Sequence, residues 1–229
     1  MNDRDSSRGE IHHLWPTPIL TRRYKDYETI NPALLELFYR HRDEHPGARP
    51  GSYASADNLL ELYATEQCFS DLTRFIAESV FEIAQAVNRD FWKKTGKVRV
   101  DLTGVWFQIA NSHAFHETHV HGNCSWSGVY YVQSGSAGQK QKDTGQPNGV
   151  TRFYGPNLDY MAGGHGDFGN LYLQGSTWDS YPRDGGLVVF PSHTKHMAFP
   201  YQGEKDRVIV SFHAQVNSNE GRLYKYEFS

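Results

Sequence analysis

The segment His113-Ala-Phe-His-Glu-Thr-His-Val-His121 carries four of the chain's twelve histidines and leads directly into Gly122-Asn-Cys-Ser-Trp-Ser-Gly-Val-Tyr-Tyr131. Aromatic and β-branched residues in this continuation are typical of a strand. Residues i and i+2 of a strand point to the same face, so His119 and His121 would share one. Two imidazoles on one face suit iron, copper or zinc. The segment therefore predicts a β scaffold that carries a metal site.

The spacing alone does not identify the third ligand of such a site. A mononuclear iron centre commonly uses two histidines and one carboxylate, but the second position of this pair is His121. The ligands are either His119, His121 and the distant His196 of Phe190-Pro-Ser-His-Thr-Lys-His196, or a set in which Glu117 supplies the carboxylate. We favour the three histidines because Glu117 precedes the pair. The competing interpretation is a histidine-rich surface loop that binds nothing.

Composition limits the class of protein. At 229 residues the chain can form one sizeable core, and a net charge of -3 with a pI near 6.4 does not indicate a nucleic-acid surface. Only two cysteines are present, Cys68 and Cys124, so we expect no disulfide framework and a reducing, cytoplasmic location. Residues 1–10 are polar, and we predict that they are disordered and form neither a signal peptide nor a membrane span. We expect no membrane partner.

Helical patterns come first along the chain, and strand patterns follow. Asn31-Pro32 predicts a helix start, and Ser70 predicts the cap of a second helix with an apolar stripe that runs from Leu72 to Phe91. Leu14–Leu20, with two prolines, predicts an edge strand or an extended arm. Strands are predicted at residues 98–110, 127–133, 150–154, 187–190 and 207–216, with a further candidate at 170–174. This order indicates an α+β chain whose sheets form a sandwich or a barrel.

Arg207 opens the last predicted strand, eleven residues after His196. A buried arginine is rare unless it pairs with an anion, so Arg207 is a candidate for binding a carboxylate bidentately. Ser211, four residues on along the same strand face, would add a hydroxyl. The alternative is an ordinary surface salt bridge with Glu204 or Asp206.

The quoted segments resemble those of the iron(II)- and 2-oxoglutarate-dependent oxygenases, and more narrowly a 2OG-Fe(II) oxygenase family of bacteria and phages. The resemblance rests on Leu14-Trp-Pro-Thr-Pro-Ile, on His119-Val-His-Gly-Asn-Cys-Ser-Trp-Ser-Gly-Val-Tyr-Tyr131, and on Phe190-Pro-Ser followed by His196 and Arg207-Val-Ile-Val-Ser-Phe. Together these segments extend from about residue 14 to residue 216.

The resemblance implies a double-stranded β-helix, a cupin-like jelly roll with flanking N-terminal helices. It implies His119, His121 and His196 as metal ligands, and Arg207 as the residue that binds the distal carboxylate of 2-oxoglutarate. Tyr131 matches a tyrosine that hydrogen-bonds this carboxylate in related hydroxylases. Two departures are Ile209, where a serine is common and for which Ser211 is a substitute, and His213, where asparagine is common.

The resemblance also implies a layout and an activity. We expect one domain over residues 1–229, with an N-terminal arm and support helices at 11–96, a jelly-roll core at 97–216 and a tail at 217–229. The implied enzyme is a dioxygenase that uses Fe(II), O2 and 2-oxoglutarate to hydroxylate a small molecule or a peptide side chain, with release of succinate and CO2. The alternatives are a three-histidine cupin-type dioxygenase without 2-oxoglutarate and a non-catalytic jelly-roll binding module. A homodimer is compatible with each.

The predicted loops at residues 134–149 and 155–185 are expected to form the wall of the substrate pocket. Their aromatic and charged side chains would suit a polar small molecule or a peptide side chain. The residues expected in this wall are Arg152, Tyr154, Tyr160, His165, Trp178, Tyr181 and Arg183.

Overall fold

The structure is a computed structural model, and it describes residues 16–47, 51–92, 97–141, 145–156, 169 and 175–218. These residues form three helices, followed for the most part by strands. The helices are α1 (Tyr27–Glu44), α2 (Leu59–Leu62) and α3 (Gln67–Asn88). The strands are β1 (Leu20–Arg23), β2 (Ser52–Ala54), β3 (Val98–Ala110), β4 (Ala114–His119), β5 (Trp126–Gln133), β6 (Thr151–Tyr154), β7 (Thr177–Ser180), β8 (Gly186–Pro191), β9 (His196–Tyr201) and β10 (Arg207–Ser218).

The strands form two antiparallel sheets. The six-stranded sheet has the order β1-β8-β5-β10-β3-β2, and the four-stranded sheet has the order β4-β9-β6-β7. Residues of both sheets line one cavity, so the sheets face each other across it. This arrangement is a double-stranded β-helix, and it confirms the predicted α+β, mainly β jelly roll with flanking N-terminal helices.

Alternation along the central strands separates the two faces of the six-stranded sheet. Tyr130 and Val132 of β5 belong to the apolar cluster that also contains the helix residues Leu34, Phe38 and Ile76. Their neighbours on β5 and β10, namely Val129, Tyr131 and Ile209, belong to a second, inner cluster. Because both faces are covered, β5 and β8 are buried along nearly their whole length. The inner face of this well-packed sheet forms one wall of the cavity.

The predicted start of the first helix at Asn31-Pro32 is wrong. Helix α1 begins at Tyr27, and Pro32 lies inside it. The Asn31 side chain does not cap the helix. Its amide nitrogen donates to the carbonyl of Val132 at 2.7 Å, and its oxygen accepts from the Tyr130 hydroxyl at 2.7 Å. Asn31 is buried and ties the helix layer to β5, which the Asn-Pro pair by itself does not indicate.

The second predicted helix is present, but its start is displaced. Helix α3 begins at Gln67, and the backbone N–H of Ser70 already donates to the carbonyl of Glu66. The predicted apolar stripe is buried as far as Ile83, whereas Val87 and Phe91 are exposed. The stripe therefore packs against the sheet over most of the helix, and its C-terminal end extends past the sheet.

The five firmly predicted strands are all present, and β3 has the predicted bounds. Strand β1 pairs with β8 at the edge of the sheet but begins only at Leu20. The predicted strands did not include β2, β4, β7 or β9. The candidate strand at 170–174 lies outside the described residues, as do residues 1–10, and the single-domain layout stays a prediction. No helix of the described chain is long and apolar enough to cross a membrane.

Candidate metal centre

Three histidine side chains converge at one end of the four-stranded sheet. His119 is the last residue of β4 and lies opposite His196, the first residue of β9. His121 lies beyond β4, where its backbone N–H donates to the carbonyl of Ser192 at 2.9 Å. One ring nitrogen from each of the three histidines can be chosen so that all three atoms lie within 4.8 Å of one another. The hydrogen bond from the His121 backbone to Ser192, and not simple strand alternation, holds the backbone of His121 beside His119.

The rings of His119 and His196 are oriented in the same way. The Nδ1 atom of His119 lies 2.6 Å from the carbonyl of Glu117, and the Nδ1 atom of His196 lies 2.9 Å from the carbonyl of Thr194. A carbonyl only accepts hydrogen bonds, so each Nδ1 carries the proton. Each Nε2 then keeps its lone pair, which is the form that binds a metal ion.

The third ring, that of His121, contacts another histidine. Its Nδ1 atom lies 3.0 Å from Nε2 of His213 on β10. Trp106 packs edge-on against both imidazoles, with centroid distances of 4.8 Å to His213 and 6.4 Å to His121. The sequence pattern did not indicate a role for His213, because the contact joins residues 92 positions apart.

Burial keeps these imidazoles neutral. It lowers the pKa of His121 to about 3, with further lowering by His196, His213 and His119. It also lowers the pKa of His196 to about 4, against the opposing effect of the Thr194 carbonyl. Burial likewise lowers the pKa of His213, although the charge of Asp57 acts in the opposite direction. Neutral imidazole is the metal-binding form, so these side chains need not lose a proton at pH 7.

Glu117, the alternative ligand, is not part of the cluster. Its side chain is exposed, and the structure brings together His119, His121 and His196 instead. Glu117 contributes through its backbone, because its carbonyl is the one that orients His119. This geometry favours a centre with three neutral ligands over one that contains a carboxylate.

Arg207 lies on the other side of the cavity, at the start of β10. Its side chain is buried, with a residue exposure of 4%. Its Cζ atom lies 5.5 Å from the centroid of the Tyr131 ring, and its buried Nε atom has no hydrogen-bond partner among the described residues. The expected alternative, a surface salt bridge, does not describe this burial. A buried guanidinium with an unused donor matches the planar carboxylate of an anionic ligand such as 2-oxoglutarate.

Tyr131 and Ser211 accompany Arg207 on the inner face of the large sheet. Ser211 is buried and lines the cavity, whereas the Tyr131 hydroxyl lies 3.2 Å from Thr151 Oγ1. The cavity has a volume of about 210 Å³. The cavity is lined by the three clustered histidines together with Trp106, Gln108, His116, Gly128, Val129, Thr151, Phe190, Ala198, Arg207, Ile209, Ser211 and Phe212.

Apart from His121, the lining residues lie on strands, and this differs from the predicted loop wall. Arg152 pairs with Asp179 at 2.7 Å, and Trp178 and Tyr181 are exposed. Neither these residues nor Tyr154 and Arg183 line the described cavity, and Tyr160 and His165 lie outside the described residues. Trp106 and Gln108 were not predicted as site residues, although the alternation of β3 around the buried Phe107 indicates that they face inward.

Comparison with known proteins agrees with this geometry. Residues 104–213 match the model of a family described as "Putative 2OG-Fe(II) oxygenase", and this range contains His119, His121 and His196. No curated protein matches the chain in sequence. The matched segment contains the proposed metal ligands, Tyr131, Arg207 and Ser211.

Several solved structures share the fold. A prolyl-4-hydroxylase from Pseudomonas putida is 14% identical, with 86% of this chain and 92% of that chain covered and a TM-score of 0.52. HygX from Streptomyces hygroscopicus, solved with nickel and 2-oxoglutarate bound, is 12% identical, with coverages of 87% and 82% and a TM-score of 0.55. SnoN, a non-heme alpha ketoglutarate dependent epimerase from nogalamycin biosynthesis, is 12% identical, with coverages of 86% and 76% and a TM-score of 0.52.

The jelly roll, the histidine cluster and the family match together define the class, an iron(II)- and 2-oxoglutarate-dependent oxygenase. The segment from residue 104 to residue 213 matches the model of the 2OG-Fe(II) oxygenase family that its motifs resemble. The class acts with O2 on a small molecule or a peptide.

Proposed function

We propose that the protein hydroxylates a small molecule or a peptide side chain, using iron(II) held by His119, His121 and His196 and 2-oxoglutarate held by Arg207. The observation that carries this proposal is that the buried Arg207 and the three histidines line the same cavity of about 210 Å³. A metal site and an anion site that share one small cavity suit a cosubstrate that binds both.

The three histidines are proposed to hold the metal through Nε2. Carbonyls on Nδ1 of His119 and His196 orient two of the rings before any metal arrives. Three protein ligands leave open positions on iron. Bound iron(II), together with 2-oxoglutarate and O2, supplies the oxidation of a C–H bond with release of succinate and CO2. The protein supplies position and a surrounding with little water.

Arg207 is proposed to bind the distal carboxylate of 2-oxoglutarate. A buried guanidinium is costly without an anion, so a carboxylate that reaches it gains a charge-assisted hydrogen bond. The unpartnered Nε atom is one donor for this bond. Tyr131, whose ring packs beside the guanidinium, and Ser211, on the same strand face, are proposed to donate their hydroxyls to the same carboxylate.

The substrate is proposed to approach past Trp106, Gln108 and His116, which line the cavity near the histidines. His116 is exposed, so this part of the cavity communicates with solvent. The small volume of the cavity suits a single side chain or a small molecule better than a folded nucleic acid. Both cysteines are free thiols, which fits the proposed cytoplasmic location. A homodimer remains compatible with this proposal.

The test is 2-oxoglutarate turnover by protein purified without a histidine tag. We expect the iron(II)-loaded protein to convert 2-oxoglutarate to succinate in the presence of O2, slowly without substrate and faster with it. A preparation that binds iron but neither binds nor consumes 2-oxoglutarate would contradict the proposal and would favour the three-histidine dioxygenase. Protein that holds no stoichiometric metal would favour a binding module.

A further inference from the structure

The three proposed metal ligands differ in what fixes their rings. His119 and His196 each direct Nδ1 to the carbonyl two residues earlier in the chain. The Nδ1 atom of His121 instead lies 3.0 Å from Nε2 of His213. A carbonyl accepts only, whereas an imidazole nitrogen either donates or accepts according to its tautomer. The tautomer of His121 therefore depends on its neighbour, and those of the other two ligands do not.

Only one arrangement of protons in this pair is compatible with metal binding through Nε2 of His121. If His121 donates from Nδ1, its Nε2 keeps the lone pair that a metal ion needs. His213 must then accept at Nε2, so its own proton is on Nδ1. The reverse arrangement places the proton of His121 on Nε2, where it blocks the metal.

We propose that His213 is a positioning residue, which holds His121 in the Nδ1–H tautomer and in the ring orientation that directs Nε2 to the metal. This inference rests on the histidine ligands of the proposed function but not on the use of 2-oxoglutarate. An outer hydrogen-bond partner of this kind selects the tautomer of a metal-binding histidine and raises its basicity.

The surroundings of His213 restrain its ring. His213 lies on β10 directly opposite Gly104 of β3, so no side chain from that position competes for its space. The indole of Trp106 packs edge-on against the ring with a centroid distance of 4.8 Å, and the same indole faces His121. The two imidazoles themselves lie 4.7 Å apart between centroids, with an interplanar angle of 62°. The six-stranded sheet thus holds His213, and His213 contacts His121, a proposed metal ligand that lies outside that sheet.

The first measurement reads the tautomer directly in metal-free protein. Long-range proton–nitrogen NMR spectra of ¹⁵N-histidine-labelled protein distinguish Nδ1–H from Nε2–H imidazole, and substitution of His121 assigns its signal. We expect His121 to be the Nδ1–H tautomer in wild-type protein and to show a mixture of tautomers in His213→Phe, which keeps a ring but has no acceptor. An Nε2–H His121 in wild-type protein, or an unchanged tautomer in His213→Phe, would overturn the proposal.

The second measurement is the affinity for nickel(II) alone, by calorimetry. We expect His213→Phe to lower this affinity by roughly 10- to 100-fold, and His213→Gln, whose amide oxygen still accepts, to recover most of it. The matched control is Gln215→Leu, because Gln215 lies two residues further along β10 and donates to the carbonyl of Asn123 at 2.8 Å. The control should bind nickel like the wild-type protein.

The outcomes separate this inference from the proposed function. Wild-type affinity in His213→Phe overturns the positioning role and leaves the metal triad intact. Failure of the wild-type protein to bind nickel or iron contradicts the triad, and the NMR spectra still decide whether His213 sets the tautomer of His121. Recovery in His213→Gln excludes a general loss of folding as the cause, and the spectra of each variant report folding independently.

Discussion

The two sheets of the jelly roll differ in what covers their outer faces, and they contribute different parts of the site. The six-stranded sheet is buried between the helix layer and the cavity, and it carries Arg207, Tyr131 and Ser211. The four-stranded sheet exposes much of β4 and β7 to solvent, and it carries His119 and His196. The proposed cosubstrate anchor thus lies in the well-packed sheet and the proposed metal ligands in the exposed one.

This difference has a physical basis. A buried guanidinium requires a low-dielectric and rigid setting, which the sheet covered on both faces provides. A metal centre requires access for substrate, which the exposed edge strand β4 beside His119 provides. Metal binding and cosubstrate binding should therefore respond to different substitutions, and stability should respond to a third set.

The largest effect is expected from His196→Ala, which removes a proposed ligand from the exposed sheet. Loss of a ligand should cost more than the roughly 100-fold in metal affinity that the loss of a ligand's hydrogen-bond partner can cost. The measurement is metal content after dialysis against a dilute chelator. His193→Ala is the matched control, because His193 is an exposed histidine three residues earlier. Equal metal content in the two variants would contradict the assignment of His196.

The next effect is expected from Arg207→Met in the buried sheet. Removal of one partner of a buried charge pair should cost about 2 to 5 kcal/mol of 2-oxoglutarate binding free energy, with metal affinity unchanged. Calorimetric titration of metal-loaded protein measures both quantities. Arg152→Met is the control, because Arg152 already pairs with Asp179. If Arg207→Met loses the metal and keeps 2-oxoglutarate, the proposed division between the sheets is wrong.

A smaller effect, on stability alone, is expected from Asn31→Ala. The substitution removes two buried hydrogen bonds that join α1 to β5, and it should lower the free energy of unfolding by about 2 to 3 kcal/mol. Denaturant unfolding measures this loss. Asn88→Ala, which removes one bond within α3, is expected to cost about 1 kcal/mol. A loss of metal affinity in folded Asn31→Ala protein would show that the two sheets are not independent.

The smallest effect is expected from Glu117→Gln, since this side chain is exposed and only its backbone carbonyl contacts His119. Its metal content should equal that of the wild-type protein.

His121→Ala should lose most of the metal and the activity, whereas His121→Asp should still bind iron because it places a carboxylate at the ligand position. Loss of iron in both His121→Asp and Glu117→Gln would mean that the triad is wrongly assigned.

The two sheets also differed in how well the sequence predicted them. Strands β5, β8 and β10 are buried and rich in valine, phenylalanine and tyrosine, so their composition identifies them. Strand β9 was missed because Pro200 interrupts its pattern, and β4 and β7 were missed because they are short and largely exposed. Short strands of this kind are stabilised by pairing with neighbours that are distant in sequence, which no local pattern contains.

The residues of the site likewise divide into those with a local sequence pattern and those without one. The histidine spacing and the quoted motifs predicted the cluster of His119, His121 and His196. Burial of Arg207 was one of two alternatives that the spacing left open, and the structure shows that Arg207 is buried. The contact between His213 and His121 was not predicted, because it joins residues 92 positions apart and no local pattern contains it. Asn31 was misread because Asn-Pro is also a common helix start.

The central claim is that the histidines bind iron while Arg207 binds 2-oxoglutarate in the same cavity. The most direct test is the visible spectrum of iron(II)-loaded protein titrated with 2-oxoglutarate under anaerobic conditions. The account predicts a weak charge-transfer band that saturates at one equivalent in wild-type protein. The band should be absent in His196→Ala and should require much more 2-oxoglutarate in Arg207→Met. Wild-type protein that binds iron but develops no band at saturating 2-oxoglutarate would contradict the account.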